Sequence, residues 1–252
     1  MRKLLVAMLV LTASPALAQD KEKLLVNDLS IRTAFTFKMP DAVVQKLLPP
    51  GFEVNSPTAG PARGSNLGMT LIDYVTVQDP EGKPLPTRTT VAMNIPSKVT
   101  ATGQAVGMVF NGFIGQGGAP GPYFNFGAAK ISIDRHARTD ADGKALVDES
   151  WEVKAEDGSA VTIALQYTRA VPTRGKVEAK LHSAAKPDFW RIYRFEQAAD
   201  VVRSVSTGVD RVSKASFNAT GPKLSSLFDG SQQLISITSI PYYARSVYLA
   251  AQ

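Results

Sequence analysis

Apolar and polar residues alternate along much of this chain, and the alternation predicts strands. Between Ile31 and Phe37, the side chains of Ile31, Phe35 and Phe37 share one face, while Arg32 and Thr36 lie on the other. A period of two residues is typical of a half-buried strand. We therefore predict a strand over this segment.

The clearest pair of strands lies between Trp151 and Thr168. Apolar residues alternate on both sides of a central Glu156-Asp157-Gly158 turn, beginning with Trp151 and Val153 before it and continuing with Val161 and Ile163 after it. An Asp-Gly pair between two alternating segments indicates a β-hairpin. Short strands separated by turns of this kind favour a curved antiparallel sheet or barrel.

Helical signals are few. Pro40-Asp41 begins a short helix in which apolar residues recur at helical spacing, and Pro49-Pro50-Gly51 ends it. The C-terminal third predicts strands over 190–195, 201–217, 223–228 and 234–240, followed by a helix from Tyr242. The Gly- and Pro-rich segment Gly115–Gly121 lacks the Gly-Lys-Ser/Thr ending of a phosphate-binding loop, and we expect a loop beside a pocket.

The N-terminal residues have the three parts of an export signal. Arg2 and Lys3 form the charged start, Leu4–Leu11 the apolar stretch, and Ala16-Leu17-Ala18 the small-residue cleavage site. The apolar run is too short for a membrane anchor, which needs about 20 residues. We predict a signal peptide over residues 1–18 and one domain over residues 19–252, exported to a periplasm or secreted, without membrane insertion.

Composition excludes several kinds of site. The 252 residues contain no cysteine and only two histidines, which removes thiolate chemistry and makes a histidine-rich metal site improbable. The formal charge is +6, and it falls to +4 without Arg2 and Lys3. Because basic and acidic residues are interleaved, no segment resembles a nucleic-acid-binding patch. We therefore expect neither a metal nor a nucleic-acid partner.

Three stretches, in this order, resemble the acetoacetate decarboxylase family. Phe37–Val54 is similar to the family's early strand, short helix and proline-containing loop; Thr220–Asp229 is similar to a late strand that begins Thr-Gly-Pro; and Ala244–Leu249 looks like its closing helix. The resemblance covers most of the chain after residue 18. It implies an α+β, mainly β fold: an antiparallel cone-shaped β-barrel with a few flanking helices, assembled into a homo-oligomer.

The resemblance also implies a chemistry. In this family a lysine attacks the ketone of a β-keto acid, and the resulting Schiff base accepts the electrons released as carbon dioxide leaves. The nearest match to the family's Pro-Lys-Lys motif is Gly127-Ala128-Ala129-Lys130. Depending on the alignment, Lys130 falls on the nucleophile or on its cationic neighbour, and in the second case Ala129 replaces the nucleophile.

Four further residues complete the predicted site. Asp73 interrupts an apolar strand and matches one family acid, so Asp73 and Lys130 are the predicted catalytic residues. Arg32 resembles an early arginine that binds the substrate carboxylate. Phe124 and Phe126 are the other two predicted substrate-binding residues, and they supply apolar surroundings that would lower the pKa of a catalytic lysine.

Two functions follow from the resemblance. The first is an exported lyase, of decarboxylase or aldolase type, that acts on a small keto acid or carbonyl compound through Lys130 without a cofactor. The second is a non-catalytic small-molecule binding protein on the same barrel, favoured by loss of the second lysine, of an Arg-Glu pair and of one acid. A solvent-facing Lys130 would argue against the enzyme.

Overall fold

The computed structural model describes residues 22–250. The predicted signal peptide, residues 1–18, lies outside the described residues. None of the helices in the described part of the chain has the length and apolar character needed to cross a membrane.

Most of residues 22–250 belong to strands, and one short helix is present among them. The elements are β1 (Lys23–Lys38), α1 (Asp41–Gln45), β2 (Phe52–Val54), β3 (Leu67–Gln78), β4 (Thr90–Val99), β5 (Ala105–Gly115), β6 (Phe126–Thr139), β7 (Ala145–Ala155), β8 (Ala160–Thr168), β9 (Thr173–Ser183), β10 (Trp190–Ser204), β11 (Val209–Asp210), β12 (Val212–Thr220) and β13 (Gln233–Leu249).

Seven strands pair in a closed circuit that we call the ring. Its order is β5, β9, β10, β13, β1, β3 and β4, and β4 pairs again with β5. A second group, which we call the wing, continues from β5 through β6, β7 and β8 to β12. Strand β5 joins the two groups because one of its edges pairs first with β9, over Gly107–Val109, and then with β6, over Gly112–Gly115.

The ring and the wing correct part of the predicted architecture. The pairings of β5 with β6 and with β9 are parallel, so the sheet is mixed, whereas an antiparallel sheet was predicted. Among residues 22–250, only the five-residue α1 stands where a few flanking helices were expected. The short helix beginning near Pro40 and the hairpin around Asp157-Gly158 are confirmed, the latter with Gly158 at φ +85°.

Three C-terminal predictions were wrong. The strand predicted over 201–217 is interrupted by turns at 205–208, between the end of β10 at Ser204 and the start of β11 at Val209. The segment from Tyr242 is not a helix, because β13 continues to Leu249 and pairs with β1 on one edge and β10 on the other. Ladders on both edges satisfy the backbone polar groups that a helix would satisfy internally. Residues 223–228 form turns instead of a strand, with the Phe228 backbone N–H donating to the Leu224 carbonyl at 2.9 Å.

The larger apolar core lies between the outer face of the ring and the wing. Phe35 and Phe37 of β1 pack here, and the centroid of the Phe37 phenyl group is 5.2 Å from that of Phe217 in β12. Trp151 of β7 is 2% exposed within the same core. Since successive strand residues point to opposite faces, the remaining residues of the ring strands point inward, away from this core.

Candidate functional site

The ring encloses a cavity of about 290 Å³. Every one of its seven strands contributes to the wall, and two loops close the mouth. The principal lining residues are Asp28 and Arg32 of β1, Ile72 and Tyr74 of β3, Thr90 and Asn94 of β4, Ile114 of β5, Leu181 of β9, Arg191 and Tyr193 of β10, Arg245 of β13, and Arg88 and Tyr123 from the loops.

Strand alternation decides which residues reach the cavity. On β3, Thr70, Ile72 and Tyr74 line it, whereas the intervening Met69 and Leu71 belong to the core against the wing. The ring strands are therefore buried on both faces, one against apolar side chains and the other around a polar space. The predicted glycine-rich segment lies in the loop between β5 and β6, which also supplies Tyr123 to the cavity wall.

Positive charge dominates this cavity. Four arginines line it, against a single carboxylate, that of Asp28. The Arg245 Nε donates to Asp28 Oδ2 at 2.6 Å, and its Nη2 donates to the Tyr74 hydroxyl at 2.8 Å. Burial acts to lower the pKa of Arg245, but Tyr74 and Asp28 outweigh it and raise that pKa well above its ordinary value. Arg245 is thus a fixed cation paired with the cavity's one acid.

Arg32 is buried without equivalent compensation. Its side chain stacks on Tyr243, with the guanidinium carbon 3.3 Å from the ring centroid, and its Nε donates to Ser30 Oγ at 2.9 Å. The Nη2 atom is buried and has no hydrogen-bond partner among the described residues; Asp28 Oδ1 lies 3.8 Å away. Burial and the neighbouring Arg245 cation lower the pKa of Arg32.

Two tyrosines form a hydroxyl pair in the wall. Tyr123 donates to the Tyr193 hydroxyl at 2.6 Å. Burial, reinforced by Tyr193, raises the pKa of Tyr123 well above its ordinary value of 10.0, so this hydroxyl stays protonated around neutral pH. Together with the arginines, the cavity presents hydrogen-bond donors to whatever enters it.

No protein-family model matches this chain, and no curated protein matches its sequence. Among solved structures, an acetoacetate decarboxylase-like enzyme from Sphingomonas wittichii RW1 matches with a TM-score of 0.57 at 13% identity, covering 98% of this chain and 99% of that one. The enduracididine biosynthesis enzyme MppR complexed with pyruvate matches at 0.52 and 10% identity, covering 93% and 90%. The chain has the acetoacetate decarboxylase-like fold. An acetoacetate decarboxylase also matches, at 0.50 and 8% identity, over 95% and 92%.

Within the acetoacetate decarboxylase-like fold, Lys130 lies away from the cavity. It is exposed on β6, directly opposite the exposed Lys154 of β7, whereas the neighbouring Ala129 is 2% exposed. The prediction required Lys130 to point inward near Asp73. Strand β6 separates from β5 after Ala129, the last residue that pairs with it. Because successive residues point to opposite faces, Lys130 points away from the core that buries Ala129, toward the outer face of the wing.

Asp73 also lies outside the cavity. It occupies the β3 face opposite to Ile72 and Tyr74, and its carboxylate accepts from Arg135 Nη1 at 3.1 Å. Arg135 is five positions beyond Lys130 on β6, which corresponds to about 16 Å of extended chain. The structure therefore does not bring together the two residues predicted to be catalytic, and Asp73 contacts a wing arginine.

The three predicted binding residues divide between the cavity and the surface. Arg32 and Phe126 line the cavity. Phe124 does not: it is 46% exposed, has φ +63°, and packs against Phe189, with ring centroids 5.0 Å apart. Phe124 and Tyr123 are adjacent in the loop, and only Tyr123 enters the cavity wall.

Sequence reasoning missed Asp28, Arg191 and Arg245. A signal for the first was present, because Asp28, Ser30 and Arg32 follow one another at every second position of a strand that is otherwise largely apolar. Arg245 is a charged residue in a segment that also holds Tyr243, Val247 and Tyr248. Over residues 22–250 there is no group of three or more histidines, aspartates and glutamates that could hold a metal ion.

Proposed function

We propose that this protein binds a small keto acid, or a related carboxylate, inside the ring of its acetoacetate decarboxylase-like fold. The observation that carries the proposal is the buried Arg32, which lines a cavity with four arginines and one acid and whose Nη2 has no hydrogen-bond partner among residues 22–250. A carboxylate is the ligand that a guanidinium matches best, through paired N–H donors.

Burial strengthens this argument. Arg32 is only 6% exposed, and an uncompensated buried charge is costly to the folded state. The single carboxylate in the cavity accepts from Arg245 through Asp28 Oδ2, and its Oδ1 lies 3.8 Å from Arg32 Nη2, too far for a hydrogen bond. A ligand carboxylate would supply the missing counter-charge and an acceptor for Arg32 Nη2. The cavity is at the small end of ligand sites, which commonly occupy about 300 to 1,000 Å³, so the ligand is small.

We infer a keto group in the ligand from the similarity in fold to MppR. MppR was solved in complex with pyruvate, a small keto acid. In this chain, Tyr123 and Tyr193 carry hydroxyl groups in the wall. Because Tyr123 donates its proton to Tyr193, the Tyr193 hydroxyl is the donor that would bind the ketone oxygen while an arginine holds the carboxylate.

Binding without a Schiff base is favoured over lysine chemistry. No lysine lines the cavity in the part of the chain that the structure describes, and Lys130 is exposed. Carbon–carbon lyase activity is the second candidate, supported by the likeness to an acetoacetate decarboxylase-like enzyme over nearly the full length of both chains. Without a lysine, an enolate intermediate would rely on the tyrosine and arginine donors for stabilisation.

Calorimetric titration with pyruvate, 2-oxobutyrate and acetoacetate tests the binding proposal. We expect saturable binding to the wild-type protein and affinity about 10- to 100-fold weaker in Arg32→Gln, because a charged hydrogen bond is lost. Arg194→Gln is the matched control, since Arg194 pairs with Glu22 and Glu178 outside the cavity. Absence of binding by all three acids would reject the proposal.

Borohydride trapping separates the two candidates. The same acids are added with borohydride, and the protein is analysed by intact mass and peptide mapping. The binding function predicts no covalent adduct. An adduct on Lys130 that disappears in Lys130→Ala would establish Schiff-base competence and replace the binding function by the lyase.

We further propose that the protein is exported and assembles as a homo-oligomer. The charged start, apolar stretch and small-residue cleavage site of residues 1–18 support export. Mass spectrometry of the protein from its native host should find Gln19 at the N-terminus, and a chain that retains residues 1–18 would contradict export. Light scattering of the same sample measures its molar mass, which gives the number of chains in the oligomer.

A further inference from the structure

The arginines of the cavity form two separate groups. Arg32 and Arg245 lie near Asp28, and both contact or approach its carboxylate. Arg191 belongs to a different part of the wall, where its guanidinium carbon is 6.0 Å from the Tyr123 ring centroid and 5.5 Å from that of Phe189.

Register separates the two groups along the ring. Arg32 pairs with Ile240 of β13, whereas Arg191 pairs with Leu249 of the same strand. The backbone positions of the two arginines therefore differ by nine residues along β13, and their long side chains both reach the same cavity. Arg245 lies between these two levels, paired with both Asp28 and Phe195.

Each of these two arginines, Arg32 and Arg191, has a buried hydrogen-bond donor without a partner. The first is Arg32 Nη2, and the second is Arg191 Nε, each buried and without a hydrogen-bond acceptor among residues 22–250. Buried donors of this kind are rare in folded proteins and call for an acceptor. Arg191 forms no ion pair with any acid in the described part of the chain. One carboxylate at Arg32 would leave the donor of Arg191 unsatisfied.

We propose that the ligand is a small dicarboxylate, with one carboxylate at Arg32 and the other at Arg191. This inference rests on the proposed function and narrows its ligand class from keto acids in general to those with two acidic groups. Arg88, which is exposed at the mouth, adds a further positive charge on the entry path. The net charge of the lining then balances better with a dianion than with a monoanion.

Matched pairs of acids test the inference by calorimetry. Glutarate is compared with pentanoate, and 2-oxoglutarate with 2-oxopentanoate, so that each pair differs in one carboxylate at constant chain length. We expect the dicarboxylate to bind about ten-fold more tightly or better, since one charged hydrogen bond is gained. Equal affinities within both pairs would overturn the inference while leaving the proposed function intact.

Arg191→Gln locates the second carboxylate. We expect this variant to lose the dicarboxylate advantage, so that each dicarboxylate binds about as weakly as its monocarboxylate partner, whereas Arg32→Gln weakens both classes. Arg194→Gln, on the same strand but outside the cavity, should bind as wild type does, and thermal unfolding checks that all three variants fold. A dicarboxylate advantage that survives in Arg191→Gln would overturn the inference. Failure of every acid to bind wild type would instead reject the proposed function itself.

Discussion

The two faces of the ring bury charge in different ways. Against the wing, the Glu149 carboxylate is 3% exposed and accepts from Thr33 Oγ1 and Trp151 Nε1, each at 2.6 Å, and from Arg135 Nε at 3.1 Å. Inside the ring, Arg32 is nearly as buried but keeps an unpartnered nitrogen. Arg135 also has one such nitrogen, although its other two donate to Glu149 and Asp73.

This difference separates a structural charge from a binding charge. A buried carboxylate with three donors holds the wing to the ring and needs nothing further. A buried arginine beside an open space, with donors to spare, costs the fold stability unless an anion joins it. The same strand, β1, carries Thr33 on the first face and Arg32 on the second.

The largest expected effect is on the wing side. Glu149→Ala removes the acceptor shared by Thr33, Trp151 and Arg135, and we expect the free energy of unfolding to fall by about 3 to 5 kcal/mol. Urea unfolding followed by circular dichroism measures it. Carboxylate affinity should be unchanged in this variant, and a loss of less than about 1 kcal/mol would show that the cluster is not structural.

Neighbouring residues of β3 sharpen the contrast. Leu71, 0% exposed, faces the tightly packed core, and Leu71→Ala should lower the free energy of unfolding by about 4 kcal/mol. Ile72 borders the cavity, so Ile72→Ala should cost about 2 kcal/mol, the transfer term without a new void. Equal losses measured by urea unfolding would mean that both faces are packed alike.

Arg32→Gln should separate stability from binding. Because the change removes a buried charge whose counter-ion, Asp28, lies at 3.8 Å without a hydrogen bond to it, the free energy of unfolding should stay within about 1 kcal/mol of wild type or rise, while carboxylate affinity falls. Urea unfolding without ligand provides the measurement. A loss as large as that of Glu149→Ala would instead assign Arg32 a structural role.

The smallest expected effect is at the surface of the wing. Burial acts to raise the pKa of Asp157, but hydrogen bonds from Ser159 and Lys223 outweigh it and lower that pKa below 3.8. The resulting stabilisation is present above about pH 4 and is lost as the pH falls through the lowered pKa. Since both partners are partly exposed, we expect well under 1 kcal/mol. Acid titration of the Lys223→Met variant should show a smaller component, because the hydrogen bond from the Ser159 backbone remains.

Local patterns in the sequence were sufficient for the elements built from nearby residues. The hairpin of β7 and β8 follows from alternation around Asp157-Gly158, and α1 follows from Pro40-Asp41 and the apolar spacing after it. The order of three stretches also pointed to the acetoacetate decarboxylase-like fold. For the hairpin and the helix the physical cause, a turn or a short periodic segment, lies within about twenty residues of chain.

Contacts between distant strands decided the rest. The C-terminal residues became a strand because β1 and β10, far away in the chain, pair with both edges of β13. Lys130 points outward because β6 separates from β5 after Ala129. The alternation of residues within β6 does not show where this separation occurs. Arg32 was within reach of sequence reasoning, but its joining with Arg191 and Arg245 around one cavity depends on the register of three strands. Alternation in the sequence determines that a strand has two faces, whereas closure of the ring determines which face encloses the site.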